Sequence, residues 1–358
     1  MHFVNFEYNS FTLKKSYFIL FAFCLLFQFA KGQLPAAYWQ QQVDYKIDVS
    51  LNDVDHTLDG FIKITYTNNS PDTLKFIWFH LWQNAYKNDR TAFTDQQLEN
   101  GSTTFYFSDY ESKGYINRLD FKMNGSTCIT QDHPQHQDII KVILPFGIAP
   151  KTTVKIETPF HVKMPYNFSR GGHVGQNYQA TQWFPKPAVY DKKGWHPIPY
   201  LDQGEFYSDF GNYEVQLTLP DNYMVAATGL SDKEDIVQNE IELPTNTILK
   251  KSFTSTNRLK HKEANKISSS TQQKTLLYKQ DNVHDFAWTA DPTYRIGEVD
   301  WNGVKCVAIA QENNAAGWQQ TAQFTAKVIA TYSRDFGMYD YPKIVCADAA
   351  DGMEYPMI

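Results

Sequence analysis

Glu354 is the lone carboxylate of the run Met353-Glu354-Tyr355-Pro356-Met357-Ile358, which follows Asp351-Gly352. A carboxylate drawn out of water in such a strand-like stretch needs a cationic partner. No Lys or Arg stands close in sequence, so the ammonium group of a bound ligand is a candidate. Zinc-assisted hydrolysis would call for His-Glu-x-x-His on a helix, where two imidazoles four residues apart face one metal and the Glu handles the attacking water. The chain has no such motif. Its 10 histidines offer one close pair, His133 and His136, in a polar stretch that reads as a solvated loop. Cys128, Cys306 and Cys346 are too widely spread for a closely spaced zinc site. Cys306 and Cys346 fall in two apolar runs that can neighbour each other, either as core thiols or as a disulfide.

The elements that must position these groups change character along the chain. Short alternating runs dominate from Tyr45 to about Ala290 and predict antiparallel strands at Tyr45–Leu51, Phe61–Thr67, Leu74–Leu81, Ile139–Leu144, Val154–Glu157, Tyr213–Leu219 and Leu276–Tyr278. Turn residues fall between them at Asn68-Asn69-Ser70-Pro71, Asp191-Lys192-Lys193-Gly194 and Leu219-Pro220-Asp221-Asn222. Helix signals are almost missing there, and Thr256–Gln273 reads as an exposed hairpin tip or loop. After Asp300 a buried-type strand, Val304–Ala308, leads to a helix capped by Asn313 or Asn314. Its apolar residues Trp318, Ala322, Ile329, Tyr332 and Phe336 recur at helical spacing, and Gly337 ends it. An apolar strand then opens at Lys343–Val345. Strand, helix, strand after an all-β region predicts the opening of a mixed α/β domain.

At 358 residues, two domains are expected. With 42% hydrophobic and 20% charged residues, the composition is that of an ordinary globular protein. A net charge of −6 and the lack of a sustained Lys/Arg run argue against a nucleic-acid partner. Lys14 and Lys15 precede the apolar run Tyr17–Phe29, and Ala30-Lys31-Gly32 then supplies small residues, so export with cleavage near Gln33 is expected. An uncleaved anchor is the alternative. Sequons begin at Asn68, Asn100, Asn124 and Asn167, which suits an exported protein.

Several segments together resemble the zinc aminopeptidases of the aminopeptidase N type. Asp351 to Tyr355 fall on that family's substrate-amine motif, Gly-Ala-Met-Glu-Asn, with Met353 and Glu354 matching. The first Gly and the final Asn are absent, and Tyr355 takes the place of the Asn. Gln179-Ala180, followed by Trp183-Phe184-Pro185 and continuing through Lys186 to Tyr190 and Asp191, is similar to a β-domain element that shares the substrate's amino group. Ile77–Leu81, Val283–Trp288, Phe336-Gly337 and Tyr341-Pro342 also follow the family's order.

With the signal peptide expected over 1–32, the resemblance implies a mainly β domain with a large antiparallel saddle or sandwich over 33–300 and the start of a thermolysin-like α/β catalytic domain over 301–358. It implies Glu354, Met353, Gly352 and Gln179 as residues that bind a peptide with a free N-terminus. Glu354 would hold the α-ammonium, Gln179 would accept a second hydrogen bond from it, and Met353 would line the first side-chain pocket. Zn²⁺ is implied for the complete protein, its ligands a few dozen residues beyond Ile358. This chain is therefore expected to be a fragment that neither binds catalytic zinc nor hydrolyses peptides. An extracellular β-sandwich binding or adhesion module, using the 15% aromatic residues for contacts, is the alternative from a different class. An epoxide hydrolase on the same scaffold is a third.

Overall fold

Period-two alternation of apolar residues builds the first strands. In β1 (Gln42–Asn52), Val43, Tyr45, Ile47, Val49 and Leu51 are all buried while the residues between them face outward. The computed structural model describes residues 38–233 and 267–349. Contacts divide the chain into Met1–Trp39 and Gln40–Ile358, and the second unit is the one described here. After β1 come β2 (Thr57–Thr67), β3 (Leu74–His80), α1 (Ala92–Glu99), β4 (Ile139–Ile148), β5 (Thr153–Lys163), β6 (Gly172–Val174), β7 (Asn177–Ala180), β8 (Gly211–Pro220), β9 (Met224–Ala227), β10 (Gln273–Val283) and β11 (Trp288–Asp291). The last part holds β12 (Tyr294–Trp301), β13 (Val304–Gln311), α2 (Ala315–Trp318), α3 (Thr321–Phe336) and β14 (Lys343–Ala347). Shorter strands border these.

The fold is mainly β, with several sheets. Its long strands pair in the order β10, β8, β1, β2, β5. A second sheet contains β3 and β4, and a third runs β6, β7, β11, β9. Apolar residues of these three sheets form one shared core. The expected strands are all present, but the large sheet is not wholly antiparallel: β1 and β8 run parallel, with Tyr45 opposite Tyr213. Those two rings stack at 4.4 Å. Gly211, at the start of β8, is where β1 approaches most closely; a Cβ there would lie 1.6 Å from the Val43 carbonyl oxygen.

The fourth sheet runs β12, β13, β14, with β13 and β14 parallel and joined through α2 and α3. Both faces of β13 are covered. Val304 and Cys306 pack with Ala326 and Ile329 of α3, while Val307 and Ile309 pack with Ala226 of β9 and with Tyr294 and Ile296 of β12. This explains its unbroken apolar sequence.

Several expectations are corrected. The expected single helix is two, α2 and α3, and the buried side of α3 is Ala322, Thr325, Ala326, Ile329 and Ser333. Small side chains let it lie close on the sheet. Tyr332 and Phe336 are instead 61% and 84% exposed. Asn314 stands at the cap position, yet its side chain makes no cap; it bonds to Asp348. A helix not expected from the sequence, α1, is capped by Thr91, whose hydroxyl oxygen accepts from the Thr94 N–H. Cys306 and Cys346 do sit on adjacent strands, and both are free thiols, as is Cys128. The Asn68 sequon is not a surface feature. Asn68 is buried, donates to the carbonyls of Asp72 and Ile148, and accepts from the Ser70 N–H, the Ser70 hydroxyl and Gln41. Most of Thr256–Gln273 lies outside the described residues, and Gln273 itself opens β10.

Candidate functional site

Strand β7 has buried residues on both faces. Tyr178 and Ala180 enter the shared core, so the alternation turns Asn177 and Gln179 to the other side. Its pairing with β11 sets Gln179 opposite Thr289 and Tyr178 opposite Ala290. Tyr294 opens β12, with two residues separating it from the end of β11, and Asp348 directly follows β14. These elements bring together residues from distant parts of the sequence.

Gln179 is 7% exposed. Its Nε2 lies 3.1 Å from Asn177 Oδ1, 3.1 Å from the Tyr294 hydroxyl and 3.4 Å from the Asp348 carbonyl oxygen. Asn177 Nδ2 donates to Asp291 Oδ2 and to the Tyr294 hydroxyl, each at 3.0 Å. The Tyr294 hydroxyl proton has two acceptors in reach, the Asp348 carbonyl at 3.1 Å and Thr289 Oγ1 at 2.5 Å. Burial holds the Tyr294 phenol well above its usual range, so it stays protonated.

Asp348 clamps the ends of two parallel strands. Its N–H donates to the Ile309 carbonyl, and its carboxylate accepts from the Gln311 N–H at 3.0 Å and from Asn314 Nδ2 at 2.9 Å. Asp291 carries a second buried carboxylate, raised above its ordinary range first by burial and also by the nearby Asp348 charge. Hydrogen bonds from Thr293 and Asn177 partly offset that rise. Arg295, the nearest cation in sequence, pairs with Glu312 at 2.5 Å. Both buried carboxylates are thus taken up by internal donors, Asp291 by Asn177 and Thr293 and Asp348 by Gln311 and Asn314.

Of the residues singled out from the sequence, Gln179 is at the centre of this cluster. Gly352, Met353 and Glu354 lie outside the described residues, a few positions past Asp348. Asn177, Tyr294, Asp291 and Asp348 were missed. The polar Asn-x-Gln alternation in a strand of buried residues was the signal available for Asn177. Among the described residues, no three His, Cys, Asp or Glu side chains converge as metal ligands, so these residues do not fit a zinc site. His133 and His136 stack at 4.9 Å in a loop, where His133 Nδ1 accepts the N–H groups of Gln135 and His136. Trp183 and Phe184 are core residues, and Trp183 Nε1 donates to the Phe286 carbonyl.

No family model and no curated protein matches the sequence. Among solved structures, the M1 zinc metallopeptidase of Deinococcus radiodurans is 16% identical, with 86% of this chain and 56% of that one covered at a TM-score of 0.48. A variant of that enzyme bound to a Tyr-Ser-Ala substrate gives 16%, 86% and 56% at 0.47. A variant of a two-domain M1 zinc metallopeptidase bound to L-tryptophan gives 16%, 88% and 58% at 0.48. The chain thus spans little more than half the length of these structures. At such values the likeness is one of backbone course alone.

Proposed function

We propose that this chain supplies the substrate-amine recognition part of an exported zinc aminopeptidase. The observation that carries the reading is the contact between Gln179 and the Asp348 carbonyl, 169 residues apart in sequence. It brings the β-domain element and the stretch leading to Glu354 to one place, and these are the two segments that the motifs assign to the same amino group. Glu354 anchors the α-ammonium of a peptide and Gln179 accepts a second hydrogen bond from it. Together they set the distance from the free amine to the first peptide bond. The backbone of Gly352 and Met353 pairs with the extended substrate, and Met353 lines its first side-chain pocket.

Titrating the full chain with alanyl-alanine and with its N-acetyl form, followed by two-dimensional NMR, tests the reading. The free amine should bind about 10- to 100-fold more tightly, as a charge-assisted contact allows, and Glu354→Gln should remove most of that margin. Equal affinities for the two ligands would overturn it. With added zinc, the chain alone should release no residue from an aminoacyl chromogenic substrate.

A further inference from the structure

The amide of Gln179 faces three oxygen acceptors: Asn177 Oδ1, the Tyr294 hydroxyl and the Asp348 carbonyl. Turning the amide over would set its carbonyl oxygen against all three. The Tyr294 oxygen is the pivot, since its one proton is taken up by Asp348 or Thr289 and its lone pairs are left to accept from Asn177 and Gln179. Asn177 is fixed in turn, because its Nδ2 must reach both the Asp291 carboxylate and the Tyr294 oxygen, which points its Oδ1 at Gln179. Every neighbour of the amide nitrogen therefore favours one orientation.

We infer that Tyr294, with Asn177, is a positioning residue that locks Gln179 with its carbonyl oxygen presented away from the cluster, making it an acceptor that selects ligands with a donating ammonium. The inference rests on the reading of Gln179 given above and adds the cause of its polarity. An amide free to rotate would accept from an amine and donate to a carbonyl or carboxylate with little difference. A locked amide discriminates, because a ligand offering only an acceptor leaves two oxygens facing each other without a proton.

Tyr294→Phe removes the pivot and keeps the ring in its packing. In the NMR titration, it should lower the affinity for alanyl-alanine about 3- to 10-fold, the range of one net hydrogen bond, and leave N-acetyl-alanyl-alanine unchanged. If Tyr294→Phe keeps the full preference for the free amine while Gln179→Ala loses it, the lock is wrong and the role of Gln179 stands. If the unmodified chain shows no preference, the reading of the site falls, and the lock with it. A readout independent of ligand is the Gln179 side-chain amide pair in the unmodified chain. Slow solvent exchange of both protons, taken up by Asn177 and Tyr294, upholds the lock even should Tyr294→Phe fold poorly, and fast exchange with water overturns it.

Discussion

Removing Asp285 should expose how the segment that follows Gln179 is held. Lys186 is 1% and Asp285 6% exposed in their side chains, and Lys186 Nζ stands 3.2 Å from Asp285 Oδ1. The same ammonium donates to the His284 carbonyl and lies 5.7 Å from the centre of the Phe184 ring. Burial depresses the Lys186 pKa, and the Asp285 and Asp209 charges oppose that shift. Asp285→Ala leaves a buried ammonium with a carbonyl, a ring and the more distant Asp209, a loss of about 3–5 kcal/mol in unfolding free energy. The variant can limit the loss by giving up the Lys186 proton. Its folded pKa then falls further below the unfolded value, so the unfolded state binds more protons and the variant gains stability as pH rises. The deficit relative to the unmodified protein should narrow by up to about 1.4 kcal/mol per pH unit on the alkaline side of neutrality. Urea unfolding from pH 7 to pH 9 measures both quantities. The double variant Lys186→Met/Asp285→Leu should recover most of the loss, because no unpaired charge remains. A single-variant loss below about 1 kcal/mol, or a double variant no better than the single, would refute the reasoning.

Asn68→Ala should cost about 2–3 kcal/mol in the same assay, since it strands the Asp72 and Ile148 carbonyls and the Ser70 donors, and mass spectrometry of protein expressed through a glycosylating host's secretory route should find no glycan at Asn68. Burial depresses the imidazole of His80 to about 3, assisted by Lys186, and that of His173 to about 4, assisted by His56, both from an ordinary value of 6.5. Below about pH 6.5 the unfolded chain then binds more protons, so these two groups lower stability as the solution is acidified. Asp209, raised by burial to about 7, acts in the opposite sense, because its contribution falls as pH rises from 3.8 to about 7. Comparison with His80→Asn isolates one group. Relative to that variant, the unmodified protein should lose about 1.2 kcal/mol between pH 6 and pH 5, and parallel stability curves would count against the assignment.

How much of this was legible in the sequence depended on whether the cue was local. The alternation in Tyr45–Leu51 and the turn residues at Asn68–Pro71 predicted strands and reversals correctly, because both signals repeat within a few residues. The parallel pairing of β1 with β8 carries no local mark, since partners 168 residues apart are chosen by the whole sheet. Tyr332 and Phe336 fit a helical period and still lie outward, because the period reports a stripe and not which stripe meets the sheet. At the candidate site, Gln179 was found through its resemblance to a motif. Tyr294 and Asp348 were not, since each looks like an ordinary strand-end residue until the fold sets it against β7. Asn314 shows the same limit: its helix-cap signal was real, and the bond to Asp348 took its side chain.

The most direct measurement is a crystal structure of the full chain soaked with alanyl-alanine. The account predicts the peptide's ammonium within hydrogen-bonding distance of both Gln179 Oε1 and the Glu354 carboxylate. An ammonium bound elsewhere, or a Glu354 paired with an internal Lys or Arg or turned out into solvent, would contradict it.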